Sequence, residues 1–213
     1  AAIHKEKLRV LASDSDSHVA WREKCAVEAM TEYCEAAQGF DNEDLAKDCV
    51  FCKLGIKDFH MSGEHGLLVN ECTRHIAEDR EQFRAMLSSI VRNQCVCLSA
   101  DFDAHPFVYR VLRGTSMGLC SSSEVSDLVF YSTVEKPFVL RSDIKREYGI
   151  VFYGRYRDDI MCISSKPDLL HEMLQRMQAL SRCFDLTIGC IYPLRTIMWD
   201  LSLRCCVRGD NVA

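Results

Sequence analysis

The sequence lacks the features that would place the chain at a membrane or in a secretory pathway. No apolar run approaches the roughly 18 residues that a membrane-spanning helix needs, and the N-terminal residues form no signal-peptide pattern. Repeats, low-complexity tracts and flexible linkers are absent too. We therefore expect one domain over residues 1–213, in the nucleus or the cytoplasm, with no membrane partner.

An excess of positive charge is also missing. Lys and Arg total 26 against 31 Asp and Glu, which gives a formal net charge of −5. Neutralisation of phosphates by basic side chains supplies much of the affinity of nucleic-acid-binding proteins, so this balance is unusual for such a protein. A basic surface would have to be local, or lie elsewhere in a longer protein. Because the chain opens with Ala1 rather than Met, we expect it to be a fragment.

Hydrophobic residues and cysteines are plentiful. Hydrophobic residues make up 48% of the chain and charged residues 27%, which predicts a packed globular core. The 13 cysteines form an odd set without a secretory signal, which favours a reduced, intracellular compartment. Cys49 and Cys52 have the spacing of half a zinc site, which His60, His65 or Cys72 could complete. We favour core or loop cysteines instead.

A polar centre between two β-favouring runs dominates the C-terminal half of the sequence. Residues 150–153 and 160–163 are largely apolar, and Asp158-Asp159 lies between them. This pattern predicts a β-hairpin whose turn presents two adjacent carboxylates. Such carboxylates repel each other unless a cation sits between them, and hard oxygen ligands suit Mg²⁺ or Mn²⁺. A solvated turn is the alternative, because Asp pairs are common in turns.

Hydrophobic periodicity predicts the other elements. Residues 79–93 carry the clearest helical pattern. Residues 41–65 look polar and irregular, with Gly55, Gly63 and Gly66 as breakers and a hairpin or a loop beyond residue 49. Further predicted elements are a strand at 8–12, a helix at 20–37, a short helix near 43–49, a hairpin from 95–98 and 107–112, a helix at about 122–136, a helix ending near Arg182, and strands at 184–191 and 197–207.

Three stretches resemble motifs of reverse transcriptases. Tyr156-Arg157-Asp158-Asp159 resembles their Tyr-x-Asp-Asp box, and Gly114-Thr115-Ser116-Met117-Gly118 resembles the Gly-Thr-x-Met-Gly box that precedes it. Asp127 lies in the helix that follows the second box, and residues 197–203 resemble the strand that follows the catalytic hairpin. The closest resemblance is to Penelope-like reverse transcriptases, and it extends over most of residues 8–207.

The resemblance implies a fold and an activity. The fold would be α+β: a polymerase palm, which is a ferredoxin-like antiparallel sheet with packed helices, with a partial fingers insertion and within a right-hand polymerase. The activity would be that of an RNA-directed DNA polymerase from a retroelement. Its partners would be an RNA or DNA template with primer, and deoxynucleoside triphosphates. The thumb and any nuclease domain would lie outside this chain.

The resemblance also implies the site residues. Asp14, followed three residues later by Ser17, matches the spacing of the first metal-binding carboxylate, although Asp16 is an alternative carrier. With Asp158 and Asp159, it would hold two Mg²⁺ or Mn²⁺ ions for nucleotidyl transfer. The template and nucleotide side of the cleft would be shaped by Gly114, Thr115, Met117, Gly118, Asp127 and Arg157.

Some positions depart from the family pattern. Val19 stands where the family has an aromatic residue under the incoming sugar, and Arg157 replaces a small or β-branched residue inside the box. The Pro that usually follows the glycine box is missing until Pro137. These departures and the acidic balance favour an alternative hypothesis: a catalytically decayed descendant, kept as a nucleic-acid-binding or interaction module.

Overall fold

The computed structural model describes residues 49–74, 76–97, 108–116 and 121–193. Asp14, Asp16, Val19, Met117 and Gly118 lie outside the described residues, as do the elements predicted at 8–12, 20–37 and 197–207. Within the described part, no helix is both long enough and apolar enough to cross a membrane.

Helices and strands are interspersed along the described part of the chain. In chain order they are β1 (Val50–Lys57), α1 (His65–Thr73), α2 (Arg80–Arg92), β2 (Cys95–Cys97), β3 (Val108–Arg110), α3 (Ser122–Phe130), a π-helix (Tyr131–Val139), α4 (Ser142–Glu147), β4 (Ile150–Tyr156), β5 (Asp159–Ser164), a 3₁₀ turn (Pro167–Leu169), α5 (Leu170–Ser181) and β6 (Asp185–Pro193).

The chain divides into two compact units. Among the described residues, the first, here the helical unit, comprises Lys57–Pro137 and Leu180–Asp185. The second, here the sheet unit, comprises residues 49–56, 138–179 and 186–193.

The sheet unit is built on four strands in the order β4-β5-β1-β6. β5 pairs antiparallel with β4 on one side and with β1 on the other. Since opposed residues of an antiparallel pair share a face, one face of the sheet carries a continuous set of buried side chains. This buried face is formed by Cys52, Leu54, Ile56, Tyr153, Arg155, Ile160 and Cys162.

Two helices of the sheet unit are joined through Tyr148, which directly follows α4. Its ring packs edge-on against Phe138, and its hydroxyl lies 3.2 Å from Oε1 of Glu172 in α5. Arg176 of α5 lies over the same ring and reaches Glu147 at the end of α4. α5 buries Leu170, Met173, Leu174 and Met177, which recur with helical spacing, while Leu180 near its end is exposed.

The helical unit contains α1, α2, α3 and the two-stranded β2–β3 ribbon. α1 packs against both α2 and α3. Every residue of α3 except Ser123 is buried, including the acidic Glu124 and Asp127. The π-helix continues directly from α3, and its Pro137 contributes no backbone donor. Phe184 closes this core by packing against Phe59 and Phe130.

Much of the predicted secondary structure is confirmed. The α+β class with antiparallel sheets and packed helices is present, as are the helix at 80–92, the β2–β3 hairpin and the β4–β5 hairpin. The helix predicted at 122–136 begins at Ser122 but changes to π winding at Tyr131. The single domain over 1–213 stays a prediction.

Beyond residue 49 the sequence left a hairpin or a loop open, and the loop is wrong from Val50 onward. Residues 50–57 form β1, and its alternation of buried and exposed side chains follows the pleat of a strand that is paired on both sides. Gly66, predicted to break structure, lies inside α1, where it costs helix propensity but meets no steric obstacle. Packing of Leu68, Val69 and Cys72 stabilises this helix instead.

Candidate functional site at the β4–β5 hairpin

The two adjacent carboxylates lie at the tip of the β4–β5 hairpin. Tyr156 pairs with Asp159, so Arg157 and Asp158 form the two-residue loop between the strands. Arg157 has a φ of 55°, a conformation that side chains with a Cβ adopt at a cost. The loop is fixed by two hydrogen bonds to its backbone carbonyls. Arg155 Nη1 donates to the Arg157 carbonyl at 2.8 Å, and the Ile56 amide donates to the Asp158 carbonyl at 2.8 Å.

The face of the sheet opposite the buried one is accessible next to the tip. Lys53 and Gly55 of β1 lie on it, opposite Met161 and Asp159 of β5. Tyr156 pairs with Asp159 from the other side and shares this face. We call the face formed by these residues the accessible face. Lys53 and Asp159 remain about half exposed on it, at 48% and 50% of their side-chain surface.

Lys53 forms an ion pair with one of the two carboxylates. Its Nζ lies 3.0 Å from Oδ1 of Asp159. This hydrogen bond, together with the negative charges of Asp159 and, more weakly, Asp158, raises the pKa of Lys53 above its ordinary value. The ammonium is therefore firmly charged near neutral pH and neutralises one of the two carboxylates at the tip.

Gly55 is the residue of β1 that lies directly opposite Asp159. Its backbone has no left-handed conformation that would demand glycine. A Cβ built on Gly55 would lie 3.2 Å from Oγ1 of Thr187 in β6, a tight contact with a side chain that can shift. The glycine thus leaves a position without a side chain on the accessible face, and no backbone constraint explains its presence.

The described residues do not fit a two-ion metal site. Divalent ions such as Mg²⁺ are held by carboxylate oxygens with near-octahedral geometry, and a pair of ions needs several such ligands. In the described part of the chain, no group of three or more His, Cys, Asp or Glu side chains is placed to bind a metal. At the tip, Asp159 is engaged by Lys53, and the facing position carries Gly55.

Both edges of β5 are paired, with β4 and with β1. β1 carries no carboxylate. Asp58, the residue after its end, has a φ of 49°. The roles predicted for Asp14 and Asp16 stay predictions, since both lie outside the described residues.

Arg157 and Arg155 have different environments. Arg157 is exposed at the tip, and its guanidinium lies over the ring of Tyr156 at 5.3 Å. Arg155 is fully buried on the opposite face. It donates a hydrogen bond to the Arg157 carbonyl and so positions the hairpin loop.

The described part of the glycine box, residues 114–116, lies in the helical unit, where it connects the loop at residues 60–63 to α3. The amide of Gly114 donates to the Gly63 carbonyl at 2.8 Å, and the amide of Thr115 donates to the His60 carbonyl at 2.7 Å. Gly114 has a φ of 72°, and a Cβ there would come within 2.5 Å of backbone atoms of His60 and Met61. Glycine is therefore required at this position by close backbone approach.

The polar side chains around the box point into the protein. The Thr115 hydroxyl lies 3.3 Å from the His60 carbonyl and from Ser126 Oγ, and Ser122 Oγ lies 2.7 Å from the Thr115 carbonyl. Thr115 and Asp127 are only 2% and 3% exposed. This burial favours a positioning role for both, and direct contact with a template stays a prediction.

The cysteines near β1 are core residues. Cys49 packs with Phe51 and Ile163, while Cys52 lies on the buried face opposite Cys162. Burial raises the pKa of the Cys52 thiol to about 11 and that of Cys162 to about 12. Among the described residues, neither Cys49 nor Cys52 belongs to a group of three or more His, Cys, Asp or Glu side chains placed to hold a metal.

Sequence reasoning missed Lys53 and Gly55. The alternation of Cys52, Leu54 and Ile56 was a strand signal, and a glycine inside such a strand often marks a close approach. No local signal, however, could have placed Gly55 opposite Asp159, because that register joins residues more than a hundred positions apart.

No family model matches the chain, and no curated protein does. Solved structures of telomerase are similar in fold. Apo telomerase from Candida tropicalis matches with a TM-score of 0.61 at 12% identity, over 88% of this chain and 36% of that one. Telomerase from Candida albicans, in complex with a TWJ fragment of telomeric RNA, matches with a TM-score of 0.59 at 12% identity, over 88% of this chain and 34% of that one. The chain thus spans about a third of the length of these telomerases and is similar to them in fold.

Proposed function

We propose that the chain is a reverse-transcriptase-like palm module that binds nucleic acid, an RNA or DNA template with its primer, at the tip of the β4–β5 hairpin. The observation that carries the proposal is the exposed tip: Tyr156, Arg157, Asp158 and Asp159 end a hairpin next to an accessible sheet face. The strand order β4-β5-β1-β6 and the similarity in fold to telomerases support the palm assignment.

The charges at the tip are compatible with a polyanion. Asp158 and Asp159 carry two negative charges, and Lys53 and Arg157 carry two positive ones, so the formal sum at the tip is zero. The Lys53–Asp159 ion pair removes most of the repulsion that a phosphate would meet there. Arg157, already held over Tyr156, presents its remaining donors to solvent.

The test is binding of a fluorescent RNA–DNA primer duplex, followed by anisotropy at several salt concentrations. Arg157→Gln should weaken binding by about threefold to tenfold and lower the salt dependence by roughly one counterion. Arg141→Gln is the matched control, because Arg141 is also exposed but is paired with Asp143. Absence of binding by the unmodified chain, or equal effects of the two substitutions, would refute the proposal.

A second candidate is the RNA-directed DNA polymerase of a retroelement, most like the Penelope-like group. The adjacent, accessible carboxylates of Asp158 and Asp159 favour it. It would need Mg²⁺ or Mn²⁺ and a further carboxylate, for which Asp14, or alternatively Asp16, stays the proposed carrier. Primer extension on RNA and DNA templates with deoxynucleoside triphosphates tests it, with Asp158→Asn/Asp159→Asn as the control.

A further inference from the structure

We infer that Lys53 takes the place of a divalent cation at the hairpin tip, and that Gly55 marks the position at which a carboxylate would be needed to make this tip a metal site. The inference goes beyond the proposed function, since it concerns what balances the charge of the hairpin and not what the hairpin binds. Among the described residues, it leaves the accessible face without the ligands that the metal ions of nucleotidyl transfer need.

The first argument is the position of the ammonium group. Lys53 Nζ is 3.0 Å from Oδ1 of Asp159, the distance of a charge-assisted hydrogen bond. One of the two adjacent carboxylates therefore already has a positive partner.

The second argument is competition for Asp159. A divalent ion bound to this carboxylate would lie within a few ångströms of the ammonium, and like charges at that separation repel strongly. Lys53 could swing away because it is half exposed, but the ion would then keep only Asp158 and Asp159 as described carboxylate ligands. Mg²⁺ loses its hydration shell reluctantly. A set of only two carboxylate ligands therefore binds it weakly.

The third argument is the glycine. Position 55 faces Asp159 in the β1–β5 register and lies two residues from Lys53, on the same face. It is thus the place on β1 from which a side chain would reach the same ion as Asp159. The backbone does not require glycine there, and the Thr187 hydroxyl is the neighbour that would have to shift.

The experiment measures Mn²⁺ binding by the whole chain without nucleic acid, from the loss of the free-ion signal in electron paramagnetic resonance. We expect the unmodified chain to bind no more Mn²⁺ than Asp158→Asn/Asp159→Asn up to millimolar ion. We expect Gly55→Asp/Lys53→Met to bind Mn²⁺ about tenfold or more tightly than Gly55→Ala/Lys53→Met. The latter is the matched control, because it has the same loss of lysine and a Cβ at position 55 without a carboxylate.

Two results would overturn the inference. Tight Mn²⁺ binding by the unmodified chain that disappears in Asp158→Asn/Asp159→Asn would show that the tip is a metal site despite Lys53. Equal Mn²⁺ binding by a folded Gly55→Asp/Lys53→Met and its alanine counterpart would show that position 55 is not the missing ligand position. If the double variants do not fold, the first comparison still decides, and neither comparison depends on nucleic-acid binding.

Discussion

Gly55 lies directly opposite Asp159 across the β1–β5 pair, and two residues before it Lys53 forms an ion pair with that carboxylate. A strand that could present a carboxylate to the hairpin presents a glycine and an ammonium instead. The sequence motifs alone predict a polymerase-like hairpin and a metal site together. This relationship shows that the two need not occur together. The hairpin is present, but the described residues around it are arranged for an ion pair.

Lys53→Met should have a small and pH-dependent effect on stability. Because the pair is half exposed, we expect the free energy of unfolding to fall by less than about 1 kcal/mol. The folded chain raises the pKa of Lys53 above its ordinary 10.5, so the contribution is complete below pH 10.5 and is lost as the pH rises through the folded value. Urea unfolding of both proteins from pH 7 to above pH 10.5 measures this difference.

Asp159→Asn is the control for that pair, because it removes the charge and keeps the shape. The stability difference between Lys53→Met and the unmodified chain should vanish in its background. A difference that persists there, or that grows above pH 10.5, would mean that Lys53 acts through something other than Asp159.

His65 should make the protein less stable in mild acid. Burial, with smaller contributions from Arg92 and Arg110, lowers its pKa below the ordinary 6.5, although a hydrogen bond to the Gly114 backbone acts in the opposite direction. The unfolded chain therefore takes up the proton first, and stability present above pH 6.5 is lost as the pH falls. Relative to His65→Gln, the free energy of unfolding of the unmodified chain should fall between pH 7 and pH 5. A flat difference in urea unfolding over that range would contradict this assignment.

Gly114→Ala should destabilise the helical unit strongly. The new Cβ would lie 2.5 Å from backbone atoms of His60 and Met61, in a residue whose φ of 72° already disfavours a side chain. A loss of about 2–4 kcal/mol in the free energy of unfolding is expected, since backbone cannot move aside as a side chain can. Gly66→Ala is the control: it lies in α1 with nothing within 4 Å, and it should be neutral or stabilising by up to about 1 kcal/mol. Similar effects of the two substitutions would contradict the close backbone approach at Gly114.

The buried and the exposed cysteines should differ in their reactivity towards alkylation. Burial raises the pKa of Cys52 to about 11 and of Cys162 to about 12, whereas Cys95 and Cys97 are exposed on the β2–β3 ribbon. Since the thiolate is the reactive form, iodoacetamide at pH 8 should label the ribbon pair first. Cys52 and Cys162 should react only on unfolding, as mapped by peptide mass spectrometry. Early labelling of Cys52 would place it outside the core.

Elements with a strong local period could be predicted from the sequence. The helix at 80–92 and the two strands flanking Asp158-Asp159 have apolar spacings that few alternatives satisfy. β1 was missed because Lys53, Gly55 and Lys57 interrupt its apolar run. α1 was missed because Gly63 and Gly66 flank its start, and tertiary packing overrides their low helix propensity.

The charge arrangement at the tip could not be predicted in the same way. It depends on which strand pairs with β5 and in which register, and that is decided by packing of the whole buried face. The Tyr-x-Asp-Asp resemblance predicted a metal site from one side of the sheet. Lys53 and Gly55, the residues that face Asp159 on the same side of the sheet, belong to a different strand, β1.

The most direct test of this account measures binding and chemistry in the same sample. A labelled primer on an RNA template is added to the unmodified chain with Mg²⁺ or Mn²⁺ and deoxynucleoside triphosphates, and anisotropy and primer length are followed together. The account predicts a primer that is bound and stays unextended, with the binding weakened by Arg157→Gln. Extension that is lost in Asp158→Asn/Asp159→Asn would contradict it and establish a polymerase whose further carboxylate lies outside the described residues.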